Sequence, residues 1–346
     1  MMINIWFNHW FSTAYHLINL MKSENPDKFH FIGSSRSNIC VFTKACDEKY
    51  SEPLNISRPE YIKFCLDFCR QHDVKVFVPR HNLADISKHY RDFQNIGVKL
   101  FADSDSENAM ILDDKILTYR KISEICPETI PEYYSANSLE SFIHIYENLN
   151  EKYRVCYKLA VDEGACSFRI IDKNLESITA LLNSPNHKIS FDTAKKILSQ
   201  YDFNIPLIVM PYLDGIEISA DCLNTPDGNI IIPRYKNGRY EEIIFDENIM
   251  HICDRIINYL DIKMPLNIQF KCMNGKPYLL EINPRMSGGL QASCMATGIN
   301  IPNIALNQLM GINIQWKYPD FKSVKTANLE TPVFPDYTEE RNEIHI

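Results

Sequence analysis

Three oxygen-bearing side chains and a guanidinium fall within one short stretch near the carboxyl end: Gln269, Glu281, Asn283 and Arg285. Successive side chains of a strand point to opposite faces, so Glu281 and Asn283 share one face while Tyr278, Leu280 and Ile282 share the other. On the preceding run, Ile268, Phe270 and Cys272 alternate with Asn267, Gln269 and Lys271. If both apolar sets face one core, Gln269 lies opposite Glu281, because a slip of one residue would turn every side chain over. That register needs an odd connection, and Asn274-Gly275-Lys276 suits a turn whose glycine is left-handed. Two amides and a carboxylate converging in this way are hard-cation chemistry, suited to Mg²⁺ held with phosphates. An amphipathic edge hairpin with solvated polar residues carries the same alternation equally well.

The residues that follow add to the pattern. Asn283-Pro284 keeps the chain extended, and Ser287-Gly288-Gly289 permits an unusual backbone path beside a ligand. With these neighbours, Gln269, Glu281, Asn283 and Arg285 resemble the carboxy-terminal signature of the ATP-grasp superfamily. The likeness is to the ATP-binding half of carbamoyl-phosphate synthase large subunits and to stand-alone ATP-grasp proteins of tellurite-resistance-type operons. It runs from about Asp113 to Gly311.

The resemblance implies an α/β and α+β architecture: an ATP-grasp fold preceded by an open α/β (pre-ATP-grasp) domain. It places the preceding domain at 1–112, a lid subdomain with its connecting helix at 113–205, and the metal-bearing subdomain at 206–314. A tail of unassigned role remains at 315–346. The implied cofactors are ATP and Mg²⁺, with Mn²⁺ as a substitute. Gln269, Glu281 and Asn283 would hold metal, Glu281 bridging two ions. Lys115 and Lys158 would contact phosphate, and Gly164, Ala165, Cys166 and Ser167 would form the phosphate side of the lid loop. Met210, Tyr212 and Leu213 would form the adenine hinge, with Glu217 accepting from the ribose. Arg285 would grip a substrate carboxylate beside the terminal phosphate, with Arg234 as the second candidate.

The residues also speak for themselves in places. Lys158 interrupts an apolar β run, whereas Lys115 lies on a helix, where lysines are ordinarily solvated. Arg234, Lys236 and Arg239 form a basic group that could receive an anion or simply end a charged hairpin. The lid loop has fewer glycines than the family pattern, and Pro211 removes an amide donor from the hinge, where the family often has a glutamate. The implied activity is activation of a substrate carboxylate as an acyl phosphate and its joining to an amine, releasing ADP and phosphate. The alternatives are a phosphotransferase on the same scaffold and an ATP-binding sensor without turnover.

The elements that must position these residues follow from periodicity. Ile3 to Phe7, Phe29 to Gly33, Val74 to Val78 and Val98 to Phe101 read as apolar strands, separated by helices around Thr13 to Met21, Glu60 to Gln71 and Leu83 to Phe93. This order argues for an open α/β layer. Pro79-Arg80-His81 directly follows a strand, where such sheets place ligand loops. No GxGxxG occurs, so no dinucleotide site is expected. Further strands are expected at Tyr153 to Leu159, Phe168 to Ile171, Leu207 to Met210, Ile216 to Leu223 and Asn229 to Pro233. Helices are expected at Asp113 to Cys126, near Leu175 to Leu182, at Glu247 to Leu260, and between Pro302 and Gly311.

Composition bounds the partners. The 346 residues are 45% hydrophobic and 23% charged, with a net charge of −8 and no basic block, which argues against a nucleic-acid partner. Eleven cysteines without a CxxC pair suit a reducing cytoplasm, and Cys65 and Cys69 read as buried small hydrophobes. Neither a leader nor a membrane span is recognisable. The expected partners are a small-molecule carboxylate and an amine, and ATP-grasp relatives that form homodimers make a homodimer an open expectation here.

Overall fold

A computed structural model describes residues 2–37, 39–162, 164–175 and 186–329. Beyond Leu175, the helix expected near Leu175 to Leu182 lies outside the described residues, as do Glu163 and the chain from 330 onward. Two compact units result: the first takes Met1–Met110, Ile218–Ile268 and Ile282–Ile346, the second Ile111–Glu217 and Gln269–Glu281. Contacts thus group 206–217 and 269–281 with 111–205.

The first unit opens with β1 (Ile3–Phe7), β2 (Phe29–Ser35), β3 (Glu48–Ser51), β4 (Val76–Val78) and β5 (Lys99–Leu100), a sheet in the order β3-β2-β1-β4-β5. All four pairings are parallel. The helices are α1 (Ala14–Ser23), α2 (Arg58–Gln71), α3 (Leu83–Lys88), α4 (Tyr90–Asn95) and α5 (Ser106–Asp113). Parallel strands buried on both faces read as apolar runs, which is why β1, β2 and β4 were legible. The short strand β3 has no buried residue and escaped notice. Trp6 of β1 stacks between Phe68 at 4.3 Å and Phe77 at 4.1 Å, while its indole N–H donates to Ser34 Oγ at 2.8 Å. Ser57 caps α2, accepting from the Glu60 amide, and Glu60 reaches back to the Ser57 amide. The helix expected over Leu83 to Phe93 is two short ones, divided at His89.

The second unit holds α6 (Lys115–Ser123), β6 (Tyr134–Ala136), α7 (Leu139–Leu149), β7 (Val155–Leu159), β8 (Arg169–Ile171), β9 (Lys188–Ile189), α8 (Phe191–Leu198) and β10 (Leu207–Pro211). Its sheet runs β6-β10-β7-β8-β9, antiparallel except for β8 beside β9. Phe142, Tyr146, Tyr157 and Phe191 fill the core beneath it, with the Tyr146 and Phe191 rings stacked 3.9 Å apart.

The remainder comprises β11 (Glu217–Thr225), β12 (Gly228–Asn237), β13 (Tyr240–Ile244), α9 (Glu247–Leu260), β14 (Leu266–Met273), β15 (Lys276–Asn283), α10 (Leu290–Thr297), α11 (Ile301–Leu309) and β16 (Ser323–Thr326). The strands form one six-stranded sheet in the order β15-β14-β11-β12-β13-β16. Part of the expected tail therefore has a structural role, since β16 pairs antiparallel with β13. Among the described residues no helix is long and apolar enough to cross a membrane.

Candidate active site

The hairpin that carries the signature residues turns on two residues rather than three. β14 ends at Met273 and β15 begins at Lys276, with Asn274 (φ 54°) and Gly275 (φ 76°) both left-handed, the form of turn that matches strand twist. A two-residue turn sets Met273 opposite Lys276, and continued unchanged it would set Gln269 opposite Leu280, with Glu281 on the oily side. Pro277 and Leu279 are buried and Ile282 is the next buried residue, leaving Leu280 and Glu281 both half-buried. The expected three-residue turn is corrected to two. The oily set is corrected with it: Leu279, rather than Leu280, is wholly buried.

In the second unit, the two predicted lysines come together. Lys115 is the first residue of α6, whose cap Asp114 accepts from the amides of Ile116 and Leu117. The Lys115 amide donates to the Ala160 carbonyl at 3.0 Å, tying the helix start to the end of β7. Its side chain is 5% exposed, and its ammonium donates to Asp162 Oδ1 at 3.0 Å and lies 4.0 Å from Glu281 Oε2. A buried lysine so placed is not the solvated surface residue a lysine on a helix ordinarily is. Lys158, on β7, is half-buried, and its pKa is pushed down to about 8, first by burial and then by the like charge of Lys115. Glu281 and Asp162 pull it back up only in part.

Asp162, one loop residue among several in the sequence, organises the loop after β7. It accepts from the Ser167 amide at 3.0 Å and from the Ser167 hydroxyl as well as from Lys115. Ser167 Oγ in turn accepts from the Leu159 amide at 2.9 Å, so this predicted phosphate-side residue closes the loop on itself. These bonds outweigh burial and hold the Asp162 carboxyl below the usual carboxylate range. Gly164 and Ala165 follow one another at φ 63° and 60°, and Gly164, Ala165 and Cys166 are exposed. Arg169 bends back to donate to the carbonyls of Cys166 and Phe168.

At the hinge, Met210 and Leu213 are buried and Tyr212 is half-buried. The Tyr212 amide already donates to the Arg154 carbonyl at 2.7 Å, and both Arg154 and Lys271 lie over its ring. Gly215 is required here: an added Cβ would sit 2.1 Å from the Cys272 carbonyl oxygen, to which the Gly215 amide donates. Glu217 begins β11, and Gln269 lies half-buried on β14.

Arg234 does not stand ready for a substrate, which corrects the expectation that it would receive an anion. It is 2% exposed, donates from Nε to Asp221 at 2.9 Å and from Nη1 to Glu241 at 2.6 Å, and reaches the hydroxyls of Ser219 and Ser287. Asn267 donates to Asp221 at 2.9 Å, as do Ser287 and Ser293, completing a satisfied buried network. Both acids raise the Arg234 pKa and keep it charged despite burial. The Gly289 position is pressed against this guanidinium, 2.3 Å from where a Cβ would lie. The period-two spacing of Ser219 and Asp221 on one strand was the sequence signal for this network. Arg285 is half-buried over the Phe11 ring at 5.6 Å and donates to the Met286 carbonyl at 3.2 Å; Lys236 is half-buried and Arg239 exposed.

A carboxylate and amide oxygens are donor types that a hard divalent cation accepts. Glu281 keeps 31% of its side chain exposed, and Gln269 and Asn283 are likewise half-buried. Among the described residues no three His, Cys, Asp or Glu side chains cluster as a protein-only cage. Mg²⁺ is ordinarily held by one or two carboxylates completed by phosphates and water, which makes Glu281 the strongest candidate of the three and the amides weaker ones.

Residues 203–332 match the family model described as "ATP-grasp in the biosynthetic pathway with Ter operon". The carbamoyl phosphate synthase arginine-specific large chain of Geobacillus stearothermophilus is 26% identical over 174 residues, 40% of this chain and 17% of that one. The chain thus spans less than a fifth of that relative's length. Among solved structures, the biotin carboxylase domain of Hydrogenobacter thermophilus 2-oxoglutarate carboxylase, in complex with MgADP, ADP and bicarbonate, superposes with a TM-score of 0.66 at 14% identity. That match covers 93% of this chain and 72% of the other. The ADP complex of N5-carboxyaminoimidazole ribonucleotide synthetase gives a TM-score of 0.64 at 10% identity, over 91% and 79%. At such identities the likeness concerns the fold.

Proposed function

The chain is an ATP-grasp protein, and from that premise we propose an ATP- and Mg²⁺-dependent ligase that activates a carboxylate as its acyl phosphate and joins it to an amine. The observation that carries this reading is the lysine pair of the second unit beside a carboxylate: Lys115 buried 4.0 Å from Glu281, and Lys158 with its pKa depressed to about 8. Two cations held near each other at the expense of one's protonation need a polyanion, and a triphosphate supplies it.

In this reading Lys115 and Lys158 bind the phosphates and stabilise charge that develops during transfer. The amides of Gly164 and Ala165, adjacent and both left-handed, line the phosphate side of the loop with Cys166, while Ser167 and Asp162 hold that loop in shape. Met210 and Leu213 give adenine apolar contact. Because Pro211 has no N–H and the Tyr212 amide is already engaged, Leu213 supplies the next amide along the hinge; Glu217 accepts from the ribose. Gln269, Glu281 and Asn283 would hold Mg²⁺, which neutralises phosphate charge when bound. Arg285 grips the reacting carboxylate with a two-pronged hydrogen bond. No side chain serves as covalent nucleophile; positioning and exclusion of water lower the barrier.

The test is a screen for ADP and phosphate release with small carboxylates and amine acceptors. Release is expected to require both substrates, and Glu281→Ala is expected to lower turnover by at least about 100-fold. AMP and pyrophosphate as products would refute the acyl-phosphate route. A stable phosphorylated product formed without amine would replace the ligase with a phosphotransferase. Tight MgATP binding with no turnover on any pair would leave the sensor.

A further inference from the structure

Two separate elements of the second unit meet at one carboxylate, that of Asp162: Lys115 at the start of α6, and the residues Gly164 to Ser167 that follow β7. Lys115 is pinned at both ends to the chain leaving β7. Its amide donates to the Ala160 carbonyl at 3.0 Å, and its ammonium donates to Asp162 Oδ1 at 3.0 Å and to the Asp162 carbonyl at 3.1 Å. Ala160 is held in turn, its amide donating to the Pro206 carbonyl at 2.9 Å. With both anchors on residues two apart, the flexible four-carbon stem has little room to swing.

The second carboxylate oxygen, Asp162 Oδ2, accepts from the Ser167 amide at 3.0 Å and from the Ser167 hydroxyl. Ser167 Oγ accepts from the Leu159 amide at 2.9 Å, which returns the loop to its strand. Asp162 thus gives one oxygen to the ammonium and the other to the loop. A shift of either element pulls on the other through that carboxylate.

The Lys115 and Asp162 side chains are only 5% and 8% exposed. Desolvation offsets much of the attraction in such a pair, so the pair is weak evidence for stability alone. It also differs from the environment of Arg234, whose guanidinium is divided among two carboxylates and two hydroxyls. An ammonium carries three N–H groups, and Asp162 takes two of those on Lys115. Ion pairing and phosphate contact are compatible on one ammonium: in protein kinases a lysine–glutamate pair must be in place for phosphoryl transfer.

We propose that Asp162 is a positioning residue that acts through Lys115, holding the ammonium where a nucleotide phosphate meets it and fastening Gly164 to Ser167 to the same point. This rests on the nucleotide reading of the lysine pair. A double-mutant cycle on the full chain tests it, with MgADP affinity measured by calorimetry. Asp162→Asn is expected to weaken MgADP binding about tenfold, the effect of losing one charge-assisted contact. In the Lys115→Met background no ammonium remains to be positioned, and the same substitution is expected to change affinity by less than about twofold. Equal losses in both backgrounds would mean that Asp162 serves only the shape of the loop. Tighter binding by Asp162→Asn would mean that the carboxylate competes with phosphate for Lys115. Either result overturns the proposal. The wild-type chain crystallised with MgADP, which depends on no variant folding, is expected to show Lys115 Nζ bonded at once to Asp162 and to a phosphate oxygen. Lys115 parted from Asp162, or out of reach of phosphate, would overturn the proposal as well. Wild-type binding of MgADP with equal losses in the cycle removes this inference alone; a wild-type chain that binds no MgADP removes the nucleotide reading and this inference with it.

Discussion

Lys158 offers a prediction whose size can be worked through. Burial and the neighbouring Lys115 put its pKa at about 8 before nucleotide arrives; a bound triphosphate would favour the charged form and move the value back toward 10.5, the ordinary lysine value. The protonated form is the one that binds, so affinity must fall as pH rises through 8. Above that point, MgATP affinity is expected to drop about tenfold per pH unit until the pKa of the complex is reached. At pH 8.5 the free side chain is only about one-quarter protonated, so binding should take up roughly 0.7 of a proton. Calorimetric titration in buffers of different ionisation enthalpy counts that proton directly. Lys158→Arg, which keeps its charge at any relevant pH, should bind with no such uptake and with a flat pH profile. No uptake in the wild type, or equal uptake in Lys158→Arg, would refute the assignment. The same shift has a stability sign. The folded pKa lies below the unfolded one, so the unfolded chain holds the proton more tightly. The penalty is therefore complete below pH 8 and relieved between 8 and 10.5. Lys158→Met is expected to raise the urea midpoint at pH 7 and not at pH 11.

Two further substitutions separate scaffold from chemistry. Arg234→Ala leaves Asp221 and part of Glu241 buried without their cation, and should cost about 3–5 kcal/mol in urea unfolding; a variant of unchanged stability with lost turnover would restore Arg234 to the substrate. Gly215→Ala drives a methyl into the Cys272 carbonyl, and should cost about 1–3 kcal/mol as the chain shifts, with MgADP affinity lowered because the displaced segment adjoins the hinge. Unaltered affinity at full destabilisation would detach Gly215 from nucleotide binding.

Local patterns made much of this protein readable from its sequence. Apolar runs of the first sheet and the period of α9 are properties of neighbouring residues, and neighbours are what a sequence displays. Strands β3 and β16 were not legible, because short edge strands without a buried side chain carry no apolar run. The two-residue turn was hidden because Lys276 could be read as part of the turn or as the first residue of the strand, and only the backbone shows that β15 begins there. Arg234 shows the limit most clearly. Its basic neighbours, Lys236 and Arg239, suggested an anion site, yet its charge is neutralised by Asp221 and Glu241. Asp221 is thirteen residues away on the adjacent strand. Whether a charge meets a ligand or a partner within the fold depends on what packs over it, and that depends on long-range pairing of strands. Residue type and spacing set out the chemical groups this chain offers; tertiary packing, through long-range strand pairing, decided that Arg234 spends its charge within the fold.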